Sequence, residues 1–429
     1  MDILLAPEPS PTAATPAQGP AHMPTSIVET GVRASVLEDL ALKILYLSGP
    51  FSVLELARQM HLGYEVAHEL FDRLRSKLLC EVTGMFGHVQ NIAITSLGRT
   101  RAMELLSQSQ YSGSAPVSLR SYVEQVRAQS IRNLRVTRED VELGFSKYVL
   151  DAKTLAQFGT ALNSGEAIFL YGPPGTGKTS AAETLASVLA KDAVWIPYSV
   201  EVDGQIIVVF DPTVHKNFDP PTQHYDRRWV LCHRPTVIAG GELTMEMLDL
   251  QYSPATNYYV GPVQMKANNG TLIIDDFGRQ RVTPEELLNR WVVPLDRGIE
   301  FLTLAGGRKI EVPFELMVIF ASNKDPNKLM DPAFLRRIQT KIRIGEVTPQ
   351  QFLEIFRRVA LQHGLSVDDD TIYGLVAVIR EELVEELRAC HPRDLINQVV
   401  WAARFEGKPV VLDRNALLKA VESYFLARS

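Results

Sequence analysis

Eight consecutive residues carry the most specific chemistry in the chain: Gly172-Pro173-Pro174-Gly175-Thr176-Gly177-Lys178-Thr179, followed by Ser180. They fit G-x-x-x-x-G-K-[ST]. Glycines let successive backbone N–H groups curl around an anion without a Cβ in the way. A helix opening at the end of the loop adds unpaired donors and the positive end of its dipole. Lys178 supplies a point charge for outer phosphates, and the Thr179 hydroxyl a ligand for Mg²⁺. That chemistry is the cradling of a nucleotide's phosphates. Two acids, Asp275 and Asp276, close the apolar run Thr271-Leu272-Ile273-Ile274. Carboxylates at the carboxyl end of a buried parallel strand stand where open α/β sheets bind ligands. Asp275 is expected to organise the Mg²⁺ shell, and Asp276 to orient or deprotonate an attacking water. Neighbouring side chains on a strand point to opposite faces, which suits two different tasks.

Both motifs need a scaffold, and the sequence offers one. Glu166–Tyr171 is a short apolar run that reads as a buried strand, and Ser180–Ala190 reads as the helix after the loop. Glu315–Asn323 is a further apolar strand ending in an amide, and Lys341–Ile344 another strand. Between them lies Asp331-Pro332-Ala333-Phe334-Leu335-Arg336-Arg337-Ile338. Residues 346–429 read as four helices, one opened by His391-Pro392-Arg393-Asp394-Leu395.

In this order the motifs resemble those of the AAA+ ATPases over residues 135–429. The resemblance implies an α/β fold: a P-loop parallel five-stranded sheet with a C-terminal helical lid. It implies ATP with Mg²⁺, a choice over GTP that rests on the resemblance alone. Asn323 then takes the sensor position, where an amide holds both the water and the γ-phosphate. Arg337, or Arg336 as second choice or partner, becomes the finger that reaches a neighbouring subunit's nucleotide. Arg393 contacts the γ-phosphate from the lid. Self-association into a ring, a hexamer, follows from the same likeness. One position departs from the family: Asp276 stands where the family usually has Glu, which bears on turnover more than on binding.

Composition agrees with such a protein. The chain has 429 residues, 46% hydrophobic and 22% charged, with a net charge of −6. Disordered and fibrous classes are excluded, and two to four domains are expected. A mildly acidic balance gives no global attraction to nucleic acid or to an anionic membrane. The three cysteines, Cys80, Cys232 and Cys390, form no disulfide framework. Without a long apolar run or a basic leader, the expectation is a soluble cytoplasmic protein with no membrane partner.

The expected organisation has five parts. Residues 1–30 are a disordered Pro/Ala-rich tail. Residues 31–110 form a small α+β module of three helices, a hairpin and a closing helix, similar to a winged helix. Its third helix runs Tyr64–Leu79 with Val66, Leu70, Leu74 and Leu78 on one face. Residues 111–134 are linker and helix, 135–345 the nucleotide-binding domain, and 346–429 the lid. A winged helix suggests DNA, yet residues 31–110 carry eight Lys/Arg against eight Asp/Glu. Glu65 and Glu69 also open the would-be recognition helix. Docking of a client protein through residues 31–110 is therefore favoured, with DNA the alternative.

Two hairpins are expected as inserts. One runs Val194–Val202 and Gln205–Phe210 about Asp203-Gly204; the other joins Glu300–Leu304 to Arg308–Val312 about Gly306-Gly307. The second hairpin, with Gly261-Pro262, resembles the MoxR-like branch. Tyr258-Tyr259-Val260-Gly261 resembles a pore loop but lies too near Asp275, so a packed pair at a helix start is expected. His215, His224 and His233 have no familiar metal-site spacing. The leading function is ATP-driven remodelling of a client, with metal-cofactor insertion as one form. The alternatives are a DNA-directed ATPase and a slow nucleotide-gated switch.

Overall fold

The computed structural model describes residues 22–86, 89–218 and 225–425. Residues 22–30, expected in the tail, are instead packed. Ile27 and Thr30 are buried, and the Ile27 N–H donates to Glu69 at 2.9 Å. The rest of the expected tail, residues 1–21, lies outside the described residues.

The elements of the first module follow the expected order. They are α1 (Ala34–Ser48), β1 (Phe51–Ser52), α2 (Val53–Met60), α3 (Tyr64–Ser76), β2 (Cys80–Phe86), β3 (Val89–Ile94) and α4 (Ser96–Gln108). Ser52 and Thr95 cap α2 and α4, each accepting from the backbone three residues on. The strands form one antiparallel sheet in the order β1-β3-β2. Helix α3 stops short of its predicted end. Val66, Leu70 and Leu74 are buried, but Leu78 sits in left-handed backbone and is 71% exposed.

Residues 111–120, expected as a linker, are built into the fold. Tyr111, Ala115 and Val117 are buried, and β4 (Val117–Ser118) pairs in parallel with Val200-Glu201. Then come α5 (Leu119–Ala128), α6 (Arg138–Gly144) behind a Thr137/Asp140 capping box, and α7 (Ala152–Ser164).

The phosphate-loop motif lies between β5 (Ile168–Tyr171) and α8 (Lys178–Leu189). The expected first hairpin divides at Pro197. Its outer part is β6 (Ala193–Pro197), and its inner part is the hairpin β7 (Ser199–Val202) and β8 (Gln205–Val208). Asp203 and Gly204 both have positive φ, the turn that suits a two-residue loop. β6 pairs instead with β9 (Trp229–His233). After β10 (Thr236–Ala239) comes the hairpin β11 (Gln251–Ser253) and β12 (Tyr258–Val260), then α9 (Val263–Lys266) and β13 (Thr271–Ile274).

Helix α10 (Pro284–Arg297) leads into the second expected hairpin, β14 (Ile299–Thr303) with β15 (Lys309–Pro313). The domain closes with β16 (Met317–Ser322), α11 (Pro326–Leu329), α12 (Pro332–Leu335) and β17 (Thr340–Arg343). Five strands form a parallel sheet in the order β10-β13-β16-β5-β17. Strand residues Ile168–Leu170, Leu272–Ile274 and Met317–Ala321 are at most 1% exposed, as expected of strands covered on both faces. The lid is α13 (Pro349–Gln362), α14 (Asp369–Ala377), α15 (His391–Glu406) and α16 (Arg414–Tyr424), packed around Phe352, Phe356, Leu395 and Leu417. The fold class is thus the expected one: α/β with a P-loop parallel sheet and a helical lid. Among the described residues no helix is long and apolar enough to cross a membrane.

The inserted strands make a second sheet, β11-β12-β8-β7-β4, against which the first module docks. Ile206 belongs to the module's core, and the His61 ring stacks on Tyr198 at 4.7 Å. Arg228, 4% exposed, fastens the joint. It pairs with Asp226 at 2.7 Å and donates to the carbonyls of Thr30 and Pro116. Tyr258 and Tyr259 lie on β12 rather than at a helix start. Tyr259 is buried, and its hydroxyl accepts from the Ala305 N–H at 2.7 Å.

Candidate nucleotide-binding site

Adjacent parallel strands bring the sequence motifs to one edge of the sheet. β5 delivers the glycine loop, β13 the two acids and β16 the amide. Gly172 turns the chain with φ 147°, and a Cβ there would sit 2.0 Å from the Ile344 carbonyl oxygen. Gly177 (φ 93°) occupies the N-cap of α8. Lys178 is 7% exposed; its ammonium donates to the Pro173 carbonyl at 2.7 Å. Burial lowers its pKa, opposed by the charges of Asp276 and Asp275. Thr176 donates to the same Pro173 oxygen at 3.0 Å. Pro173 therefore shapes the loop from behind, while residues Pro174 to Ser180 line the cleft.

The Thr179 hydroxyl donates to Asp275 Oδ1 at 3.0 Å. The two proposed Mg²⁺ ligands are thus neighbours, a pair of hard oxygen donors. The Asp275 N–H still bonds to Ala239 O, but Asp276 turns to φ 48° and leaves the strand. Alternation of strand faces therefore does not set the direction of the Asp276 side chain. Asp is among the side chains that tolerate left-handed backbone, which gives a local reason for Asp at this position. Asn323 Nδ2 donates to Asp276 Oδ1 at 3.0 Å. Acid and amide act as a pair, with Oδ2 free of that bond.

These groups line a cleft of about 570 Å³ between sheet and lid. Arg393 lines it from the first turn of α15, where it pairs with Asp394 at 3.0 Å. Arg336 and Arg337 do not line it. Arg337 Nε bonds both Asp296 oxygens at 2.9 and 2.8 Å, and its Nη1 donates to Ala333 O. Arg336 is exposed, and its side chain has no hydrogen-bond or ion-pair partner among the described residues. Sequence reasoning missed the far wall. The irregular segment Phe145–Asp151 faces Ile355, Arg358 and Val359 of α13 there. Neither stretch belongs to a motif: Phe145–Asp151 precedes α7, and the α13 residues follow the last sheet strand.

His215 accepts from the Asp211 N–H at 2.8 Å through Nδ1, and its Nε2 lies 2.8 Å from Lys266 O. His233 packs edge-on against Phe218. His224 lies outside the described residues.

Residues 348–423, within the lid, match a family described as a domain of unknown function (DUF8689). No curated protein matches the chain. Among solved structures it is similar to the Thermotoga maritima RuvB Holliday junction branch migration motor. The two are 14% identical over 64% of this chain and 69% of that one, with a TM-score of 0.38. It is also similar to domain III of the Thermotoga maritima replication initiation protein DnaA. There identity is 13% over 66% of this chain and 97% of that one, and the TM-score is 0.38. At such TM-scores the fold stands on this chain's own strand order and lid.

Proposed function

We propose that the chain is an AAA+-type ATPase that binds Mg-ATP in this cleft and hydrolyses it. The observation that carries the proposal is the convergence of Lys178, Thr179, Asp275, Asp276 and Asn323 from neighbouring strands. The loop amides and Lys178 hold the β- and γ-phosphates. Thr179 and Asp275 would hold Mg²⁺, which supplies charge neutralisation on the phosphates. Asp276 takes a proton from the attacking water, and Asn323 fixes the carboxylate through Oδ1. Arg393 reaches the outer phosphate from the lid.

The protein works as a ring, a hexamer by family likeness, in which each subunit offers an arginine to its neighbour. The side-chain positions favour Arg336 for this task, because Arg337 is held by Asp296. The β14–β15 hairpin just before β16 supports placement near the MoxR-like branch. The cell compartment is the cytosol. The work is remodelling of a client protein recruited by residues 31–110, read as a winged-helix-like module. A protein client is supported over DNA by α3. Its first turns carry Glu65 and Glu69, and Glu69 is already occupied by the 22–30 segment.

Light scattering and phosphate release, with and without Mg-ATP, test the proposal on wild type, Lys178→Ala and Arg336→Ala. Wild type should assemble and turn over. Arg336→Ala should assemble yet lose ~10³-fold in turnover. Normal ATPase activity in Lys178→Ala overturns the proposal.

A further inference from the structure

Helix α13 presents Gln351, Ile355, Arg358, Val359 and Gln362 to the nucleotide cleft, the spacing of a single helix face. Arg358 is the charged member of that face. It does not point at the phosphate loop. Its Nη1 donates to Ser146 O at 2.9 Å, with Tyr148 O at 3.5 Å, while Nε donates to Glu354 at 2.7 Å. Both carbonyls belong to the irregular segment forming the far wall. That segment is anchored on its other side by Phe145, stacked on Phe158 at 4.8 Å. At the opposite end of the cleft the Cys390 N–H donates to Gly175 O at 3.0 Å. The lid is therefore tied to the sheet domain at both ends of the cleft, each time through a carbonyl of a segment that lines it.

We infer that Arg358 is a positioning residue that fixes the lid against the Ser146–Tyr148 wall and thereby sets nucleotide affinity rather than the rate of chemistry. The inference rests on the proposed ATP-binding reading. One nitrogen of the planar guanidinium, Nη1, faces both carbonyls, and Glu354 on Nε holds the plane in that direction. Lys178, Thr179, Asp275, Asp276 and Asn323 stand on the sheet domain and keep their places when Arg358 is removed, and Arg393 stays placed by the second tie, the Cys390 N–H on Gly175 O at the start of α15. The loss then falls on substrate and transition state alike, so KM rises and kcat does not.

The test uses the full chain: steady-state ATP hydrolysis, ATP binding by calorimetry, and melting with and without Mg-ATP. Arg358→Ala should raise KM and Kd for ATP about tenfold, the loss of one charge-assisted hydrogen bond, with kcat within about twofold. Its melting point without nucleotide should fall only slightly, because Arg358 and Glu354 are half-exposed, while the rise on adding ATP shrinks. Arg358→Lys should recover part of the affinity, since an ammonium keeps the charge but lacks the planar Nε that Glu354 holds. Glu354→Gln should shift KM the same way by less. An unchanged KM in Arg358→Ala, or a fall in kcat with KM constant, overturns the inference while leaving the ATP reading intact. A wild type that binds no ATP overturns both.

Discussion

Replacing Asp276 by Asn isolates one step of the proposed reaction. The side chains are isosteric, and both tolerate the φ of 48° at this position. The Asn323 Nδ2 bond at 3.0 Å to Oδ1 has an oxygen acceptor in either case. What disappears is the carboxylate's capacity to take a proton. Loss of a general base costs ~10²–10⁴ in rate, about 3–5 kcal/mol in the barrier. Phosphate release at saturating ATP should therefore fall by that factor. Affinity for a fluorescent ATP analogue should stay within about threefold, because Lys178 and the loop amides are untouched. The companion Asp276→Glu should also slow turnover, since a longer side chain in left-handed backbone moves the carboxylate off the Asn323 amide. Turnover in Asp276→Asn near the wild-type rate would refute the assignment. Faster turnover in Asp276→Glu would instead favour the slow nucleotide-gated switch.

Three further outcomes follow from buried positions. Gly172→Ala should cost about 2–5 kcal/mol and abolish ATP binding, because its Cβ meets Ile344 O and its backbone is left-handed; urea unfolding and a binding titration check it. Arg228→Ala strands the buried Asp226 and frees the Thr30 and Pro116 carbonyls. It should lower stability by about 3–5 kcal/mol, and a loss under about 1 kcal/mol counts against the joint. Glu300, 3% exposed beside Arg290, Gln264 and Asp249, is pushed up to about 7 by burial. The folded state then holds more protons than the unfolded state between the usual carboxylate range and pH 7. Unfolding free energy should fall as pH rises through that window. Glu300→Gln should remove the slope, as pH-dependent melting will show.

The glycine loop, the acids and Asn323 were legible as neighbours because each follows a strand of one parallel sheet. A short apolar run followed by a polar group specifies both the strand and the edge at which that group emerges. The second hairpin was legible for a similar reason: alternation and a Gly-Gly turn are local signals. Features set by distant partners were not. The partner of Arg337, Asp296, lies 41 residues earlier on α10. β4 is two residues long, and its partner strand lies in an insert more than eighty residues onward. Residues 22–30 have no apolar periodicity, and their place depends on Glu69 of α3 and Arg228 of the insert. The first hairpin's outer arm gave no sign that it would leave for β9. Val194–Ile196 is apolar throughout, so alternation could not say which face or partner it takes.

The central claim is that this cleft binds Mg-ATP through Lys178. Calorimetric titration of Mg-ATP into wild type and Lys178→Ala tests it most directly. The account predicts saturable binding by wild type and a loss of at least ~100-fold in affinity for Lys178→Ala, whose fold and melting point stay otherwise unchanged. Equal binding by the two proteins, or none by a folded wild type, would contradict it.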